Sequence, residues 1–352
     1  MRGGTARKFL CITAIVSGAS VVVAQHAIKG EFQENLHAKL DPSLVSYKPA
    51  TTIKGEIRSV GADTMEELTK LWSAGFTKVQ PGATLTMEAK ASGTAVPALT
   101  DGKADIGPCA REVLPPELGP FQKKFGYDPF AVRVASGSYR TPGKTHAIAF
   151  LVNTDNPIEK LTFSQLDAIF STTRKHGAKE DIKTWGQLGL IGEWADKPIA
   201  LWGLIRPNGI ANFIQDRVMA NGEYTSGINE RTTVGSLAAL DAIAQGVAAD
   251  RYAIGYAGFG NLIPGVKAVA LAENDGGPYY KGTFDEVVAH TYPLSRYIYI
   301  YVNKAPNRPI DPKTREFLDY VLSKDGQDAV VKEGIFLPLS ASAVKQERAK
   351  LQ

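Results

Sequence analysis

From Gly55 onward the chain switches repeatedly between two hydrophobic periods. Gly55 to Val60 is extended, Gly61-Ala62 turns, and Met65, Leu68, Leu71 and Trp72 then recur at the three-to-four spacing of a helix lying on a core. Asp63 with Glu66, and Thr64 with Glu67, have the spacing of a capping box at that helix start. The cycle repeats. Ala83 to Ala89 alternates as a strand, Ser92-Gly93-Thr94 turns, Val96 to Leu99 opens a short helix, and Ala104 to Gly107 is a further strand. Thr162 with Gln165 predicts a capped helix over Phe163 to Phe170, and Pro198 to Trp202 reads as a strand before a helix starting near Gly209. Near the end, Phe317, Leu318, Val321 and Leu322 share one helical face, with a stop at Gly326 and a second short helix ending at Gly334. Strands alternating with helices predict an α/β fold with mainly parallel sheets.

The first 24 residues differ. Arg2, Arg7 and Lys8 precede an apolar stretch from Phe9 to Val23 that has no acidic residue and a small-residue exit at Ala24. That pattern predicts a secretory signal peptide cleaved after Ala24, since the run is shorter than the ~20 residues a membrane-spanning helix needs. Residues 25–52 lack periodicity and are read as a mobile leader. About 328 residues then remain, more than one core usually serves, so two lobes are expected. Val134 to Thr145 and Val288 to Arg296 are the stretches that could cross between them, giving a first lobe of residues 53–138 and 292–347 and a second of 139–291.

Composition narrows the chemistry. The formal charge of +4 falls to about +1 without the three signal-peptide cations, which argues against a non-specific nucleic-acid binder. With Cys11 removed, Cys109 is the single cysteine and no internal disulfide can form; it is read as a buried residue. His26, His37, His146, His176 and His290 lack metal-ligand spacing, and nucleophile-elbow, Walker, His-Glu-x-x-His and Cys-x-x-Cys motifs are absent, so neither enzymatic activity nor a cofactor is expected.

Three glycine-bearing turns remain: Gly61-Ala62-Asp63-Thr64, Ala91-Ser92-Gly93-Thr94 and Arg206-Pro207-Asn208-Gly209. Helix N-termini attract anions through unpaired amides and the helix dipole, so together the turns form a candidate oxyanion cradle, with Ser92 and Thr64 hydroxyls completing the shell. Asp63 has two readings. It is either a helix cap or an acceptor that shares a hydrogen bond with a protonated phosphate oxygen and repels ionised sulfate.

The ordered series Gly61 to Met65, Ser92-Gly93-Thr94 with Pro97 to Leu99, Ala104 to Pro108, Pro142 to Ala147, Asn153 to Ile158, Thr184 to Gly189, Ile254 to Tyr256, Tyr292 to Tyr297 and Gly326-Gln327 resembles the periplasmic phosphate-binding proteins of ABC importers. The resemblance runs from about Gly55 to about Leu339. It implies a type II periplasmic-binding-protein-like fold, two α/β lobes joined by two hinge strands, with an oxyanion buried between them. Carried over by position, the ligand shell would be Asp63, Thr64, Ser92, Gly93, Thr94, Arg111 and the loop Gly203 to Gly209, including Arg206, Asn208 and Gly209. Where relatives carry an arginine, a serine and a threonine in that loop, this chain has Leu204, Asn208 and Ile210, and Ala110 replaces a serine or aspartate. Arg206 or Arg111 would then supply the positive charge.

The resemblance thus implies an exported, monomeric solute-binding protein that delivers inorganic phosphate or a similar oxyanion to ABC permease subunits. The altered loop keeps a second reading open, an extracytoplasmic adhesion, matrix or sensor protein on the same fold.

Overall fold

A computed structural model describes residues 38–141, 143–231 and 236–351. The signal-peptide segment, the first part of the leader and Pro142 lie outside these. Strand β1 (Gly55–Ala62) pairs in parallel with β2 (Ala83–Lys90), and helix α1 (Glu66–Val79) carries the chain between them. Met65, Leu68, Trp72 and Phe76 form the buried stripe, while Leu71 faces outward. The capping boxes expected from Asp63 and Thr64 do not form. Asp63–Met65 is a single 3-10 turn ahead of the helix, and the Asp63 carboxylate accepts instead from the neighbouring Thr64 amide at 2.8 Å. Gly61, expected to turn, continues β1. A Cβ there would lie 2.0 Å from the Pro108 carbonyl oxygen, so glycine serves close strand approach.

The chain continues through α2 (Ala95–Thr100), β3 (Gly107–Cys109), α3 (Pro115–Phe125) and β4 (Phe130–Ser136). β3 starts three residues later than expected, because Asp105 and Ile106 both donate their amides to the Arg58 carbonyl and dock on β1. A second group follows: β5 (Ile148–Asn153), β6 (Lys160–Thr162), α4 (Phe163–Phe170), β7 (Ala200–Leu204), α5 (Gly209–Met219), β8 (Asn229–Arg231), α6 (Ser236–Ala249), β9 (Ala253–Gly258), β10 (Val266–Ala268), β11 (Ala270–Ala272) and α7 (Phe284–Val288). Its main sheet has the order β10-β5-β9-β7-β8. The chain then returns as β12 (Tyr297–Val302), which inserts between β3 and β4, and closes with α8 (Pro312–Val321), α9 (Lys324–Glu333) and α10 (Ala341–Lys350).

The sheets are mixed rather than mainly parallel. β5 and β12, the strands reached directly from the crossings, run antiparallel to their neighbours, because the chain enters each lobe from the other instead of through a local helix. Gly326 is also not a stop. Ser323 caps α9, and Gly326 lies in its first turn, where a Cβ would fall 2.3 Å from the Tyr320 carbonyl oxygen.

Among the described residues two large hydrophobic cores form, with a smaller cluster around Val96, Leu99, Phe121 and Tyr301 in the first lobe. Ile57, Trp72, Val132, Ile298, Ile300 and Phe317 centre one, and Phe150, Phe170, Trp185, Ile214, Ile243 and Tyr256 the other. Going along the chain, Ala135 belongs to the first core and Ala147 to the second, then Leu294 to the second and Ile298 to the first. The two crossings are hydrogen-bonded side by side, with Gly137 N–H donating to the Arg296 carbonyl at 2.8 Å. Such paired connections are what a closing hinge requires.

The described part of the leader is tied down rather than free. Tyr47 donates its hydroxyl to Glu316, the amides of Ala50 and Thr51 also reach the Glu316 carboxylate, and Ala341 N–H donates to Asp41. With Leu44 and Ile53 buried in the first core, these bonds strap residues 41–53 across α8 to α10. The partners lie more than 250 residues away in sequence, so hydrophobic periodicity within the leader carried no sign of them.

Candidate functional site

A cavity of about 290 Å³ is lined by residues of both lobes and of both crossings. Thr64, Ser92, Ala110 and Arg111 come from the first lobe, Asn208, Gly209, Ile210 and Leu240 from the second, and Lys144, Thr145, His146 and Arg296 from the crossings. The Ser92 hydroxyl oxygen accepts from Ala110 N–H at 3.2 Å. An oxygen that accepts leaves its own O–H available to donate. Cys109 beside it is buried and gives its S–H to the Ser92 carbonyl at 3.6 Å; burial pushes its thiol up to about 11, which removes thiolate chemistry.

Arg111 is held as a fork. Its Nη1 and Nη2 donate to the two Glu117 oxygens at 3.0 and 2.5 Å, and Nη1 also reaches the Glu112 carbonyl at 2.9 Å. Burial opposes the charges of both groups, but their pairing prevails: Arg111 is raised and Glu117 is lowered, so both stay ionised. Two glycines make room for this pair. A Cβ at Gly93 would lie 2.8 Å from Glu117 Oε1, and one at Gly209 would lie 2.9 Å from Arg111 Cδ. Gly209 opens α5, so the arginine rests against the start of a helix from the opposite lobe.

On that second wall, the Asn208 side chain caps α5 by accepting from the amides of Ile210 at 2.9 Å and Ala211 at 3.4 Å. Leu204 points into the second core, 2 % exposed, and Ile210 is likewise buried there. From the crossings, Lys144 Nζ donates to the Thr64 carbonyl at 2.6 Å, and Thr145 donates its hydroxyl to the Ala110 carbonyl. Both bonds join a crossing to the first lobe. His146 donates Nδ1–H to the Lys144 carbonyl at 2.7 Å, and burial first, with Arg296 adding to it, pulls the imidazole down to about 4. Its tautomer follows from the carbonyl, which can only accept.

The sequence-derived site residues therefore divide. Thr64, Ser92, Arg111, Asn208 and Gly209 line one cavity. Asp63 is exposed, with its carboxylate on the Thr64 amide; Thr94 turns its hydroxyl to the Ala91 carbonyl; Gly93 gives clearance to the Arg111 pair. Arg206 is not among the lining residues: it pairs with Glu230 at 2.7 Å and lies over the Tyr224 ring at 4.6 Å. Residue 206 sits past the end of β7, where strand direction sends its side chain toward β8. The cavity's other cations, Lys144 and Arg296, were missed as site residues. Both belong to the crossing stretches, and Gly143-Lys144-Thr145-His146 and Leu294-Ser295-Arg296 were the available signal.

A larger cavity, about 540 Å³, flanks the second crossing from the other side. Ser295 and Tyr297 line it while Arg296, between them, lines the smaller one. That is the alternation of an extended segment.

The geometry is that of a two-lobed solute-binding protein, and the chain belongs to that class: a family model described as the PBP superfamily domain matches residues 46–325. Within it, the chain is homologous to the phosphate-binding proteins PstS. It is 40% identical over 309 residues to the phosphate-binding protein PstS of Pseudomonas aeruginosa, covering 88% of this chain and 91% of that protein. Among solved structures, PstS from Borrelia burgdorferi (TM-score 0.52, 17% identity, 82% of this chain and 100% of that one) and an ABC-type phosphate transport receptor from Vibrio cholerae (TM-score 0.50, 20% identity, 80% and 100%) share the fold. This kinship supports a solute-binding role rather than the adhesion, matrix or sensor reading.

Proposed function

We propose that this chain captures inorganic phosphate, or a closely related oxyanion, between its lobes outside the cytoplasm and releases it to the permease subunits of an ABC importer. The observation that carries this reading is the composition of the 290 Å³ cavity: hydroxyls of Thr64 and Ser92, the start of α5, and the cations Arg111, Lys144 and Arg296 converge from both sides of a two-stranded hinge. A small tetrahedral anion suits a volume at the bottom of the ~300–1,000 Å³ range of small-molecule sites. Closure would bring the first-lobe donors and α5 onto the same anion, and its loss would let the lobes part. Thr64, Ser92, Arg111, Asn208 and Gly209 form the proposed shell, while Asp63, Gly93 and Thr94 shape the turns behind it.

The chain is further proposed to act as a monomer without enzymatic activity, since capture and release need free lobes. The lobes are assigned to residues 53–138 with 292–347 and to 139–291. Export would follow cleavage after Ala24, which N-terminal sequencing of the exported protein checks. Titration calorimetry with phosphate, sulfate and arsenate, on protein stripped of bound anion, tests the ligand. Saturable phosphate binding with one site per chain is expected; no heat with any oxyanion would overturn the reading.

A further inference from the structure

We infer that Arg296, in the second crossing, is a direct ligand of the captured anion and takes over the charge that the loop position Leu204 does not supply; this rests on the oxyanion reading above. Three cations line the cavity, and they differ in how much of their donor capacity is already spent. Both terminal nitrogens of Arg111 are engaged with Glu117. Lys144 donates one of its three N–H bonds to the Thr64 carbonyl. Arg296, its side chain only 4% exposed, uses Nη2 on Glu112 at 2.8 Å, while its Nε is buried without a partner. A buried guanidinium donor left unpaired is unfavourable, and an anion oxygen would satisfy it once closure presses the anion against the guanidinium.

Its position gives the contact a consequence. Glu112, a first-lobe residue, lines the larger cavity, so the Arg296–Glu112 pair spans the wall between the two cavities. Phe213, from α5 of the second lobe, lies under the guanidinium with its ring centroid 4.9 Å away. The Arg296 carbonyl meanwhile holds Gly137 of the other crossing. An anion on Arg296 is therefore linked through one side chain to both lobes, and through its backbone to both crossings. Arg111, by contrast, is anchored by its charge to the first lobe alone.

Calorimetric titration of inorganic phosphate into stripped protein tests this, with thermal melting of each anion-free variant as the fold control. Arg296→Lys keeps the charge and loses the fork, and should weaken phosphate roughly 10- to 100-fold. Arg296→Met should abolish measurable binding. Glu112→Gln keeps an acceptor but removes the competing negative charge while Arg296 remains, and should tighten phosphate. If Glu112→Gln instead weakens phosphate as much as Arg296→Lys and lowers the melting temperature equally, Arg296 is a hinge strut and the assignment falls. Phosphate affinity unchanged in Arg296→Lys and Arg296→Met, in a parent that binds, also overturns it. A parent that binds no phosphate overturns the functional reading itself.

Discussion

The two walls of the cavity are built on opposite principles. The first-lobe wall presents polar side chains: the Ser92 hydroxyl, and Arg111 steadied by Glu117. The second-lobe wall presents backbone and apolar groups, because Leu204 is absorbed into the core, Ile210 is largely buried with an edge on the cavity, and the Asn208 side-chain oxygen already occupies two amides of α5. Charge has moved to the first lobe and the crossings. The difference teaches that a position which looks like a lost ligand, such as Leu204, can be a core position on this backbone, so the charge has to be sought elsewhere.

The largest test of that contrast is Leu204→Arg. If the second wall had merely drifted, an arginine would tighten phosphate; with Leu204 packed against the second core, it should instead destabilise the protein by about 5 kcal/mol, read from the urea midpoint. Arg111→Met should next cost phosphate binding about 3–5 kcal/mol, since it removes a lining cation and strands Glu117, whereas Arg206→Met, on the outer side, should change affinity by less than about 0.5 kcal/mol. Equal losses from the two would erase the distinction between the walls.

A third test uses protons. His146 borders the cavity with its imidazole pulled down from 6.5 to about 4, so between those values the unfolded chain binds a proton that the folded chain refuses. Stability should therefore fall as pH drops from 6.5 toward 4, by about 3 kcal/mol for this histidine, and His146→Gln should flatten the slope by close to one proton. Among the residues that line the cavity, the smallest effect expected is on the first wall's hydroxyl. Ser92→Ala should weaken phosphate by about 1–3 kcal/mol and, by taking the acceptor from the Ala110 amide, lower stability by about 1 kcal/mol, measured by calorimetry and melting.

Elements set by neighbours in sequence were legible beforehand. Thr162 and Gln165 do form the capping box of Phe163–Phe170, and Asn208-Gly209 does open a helix, because a cap is decided within four residues. Asp63 shows the limit of the same reasoning: its spacing to Glu66 was right for a box, yet β1 runs on to Ala62 and forces a 3-10 turn that places the carboxylate on the adjacent amide. The turns carrying Thr64, Ser92, Asn208 and Gly209 were legible as a candidate cradle from their glycines and helix starts, whereas Arg111 came only through the resemblance, since no local pattern joins it to those turns.

By itself the sequence determined the alternation of strands and helices, the caps, and the need for two cores, because periodicity and chain length act locally or in bulk. Only the tertiary structure decided that the leader is strapped to Glu316 and Asp325, that Arg206 faces Glu230 rather than the cavity, and that Arg296 enters it. The physical reason is the same in each case: the donor and its carboxylate lie far apart in the chain. Where a long charged side chain goes depends on which carboxylate the folded backbone brings within about 3 Å, and for Arg296 that partner is Glu112, 184 residues away in the chain.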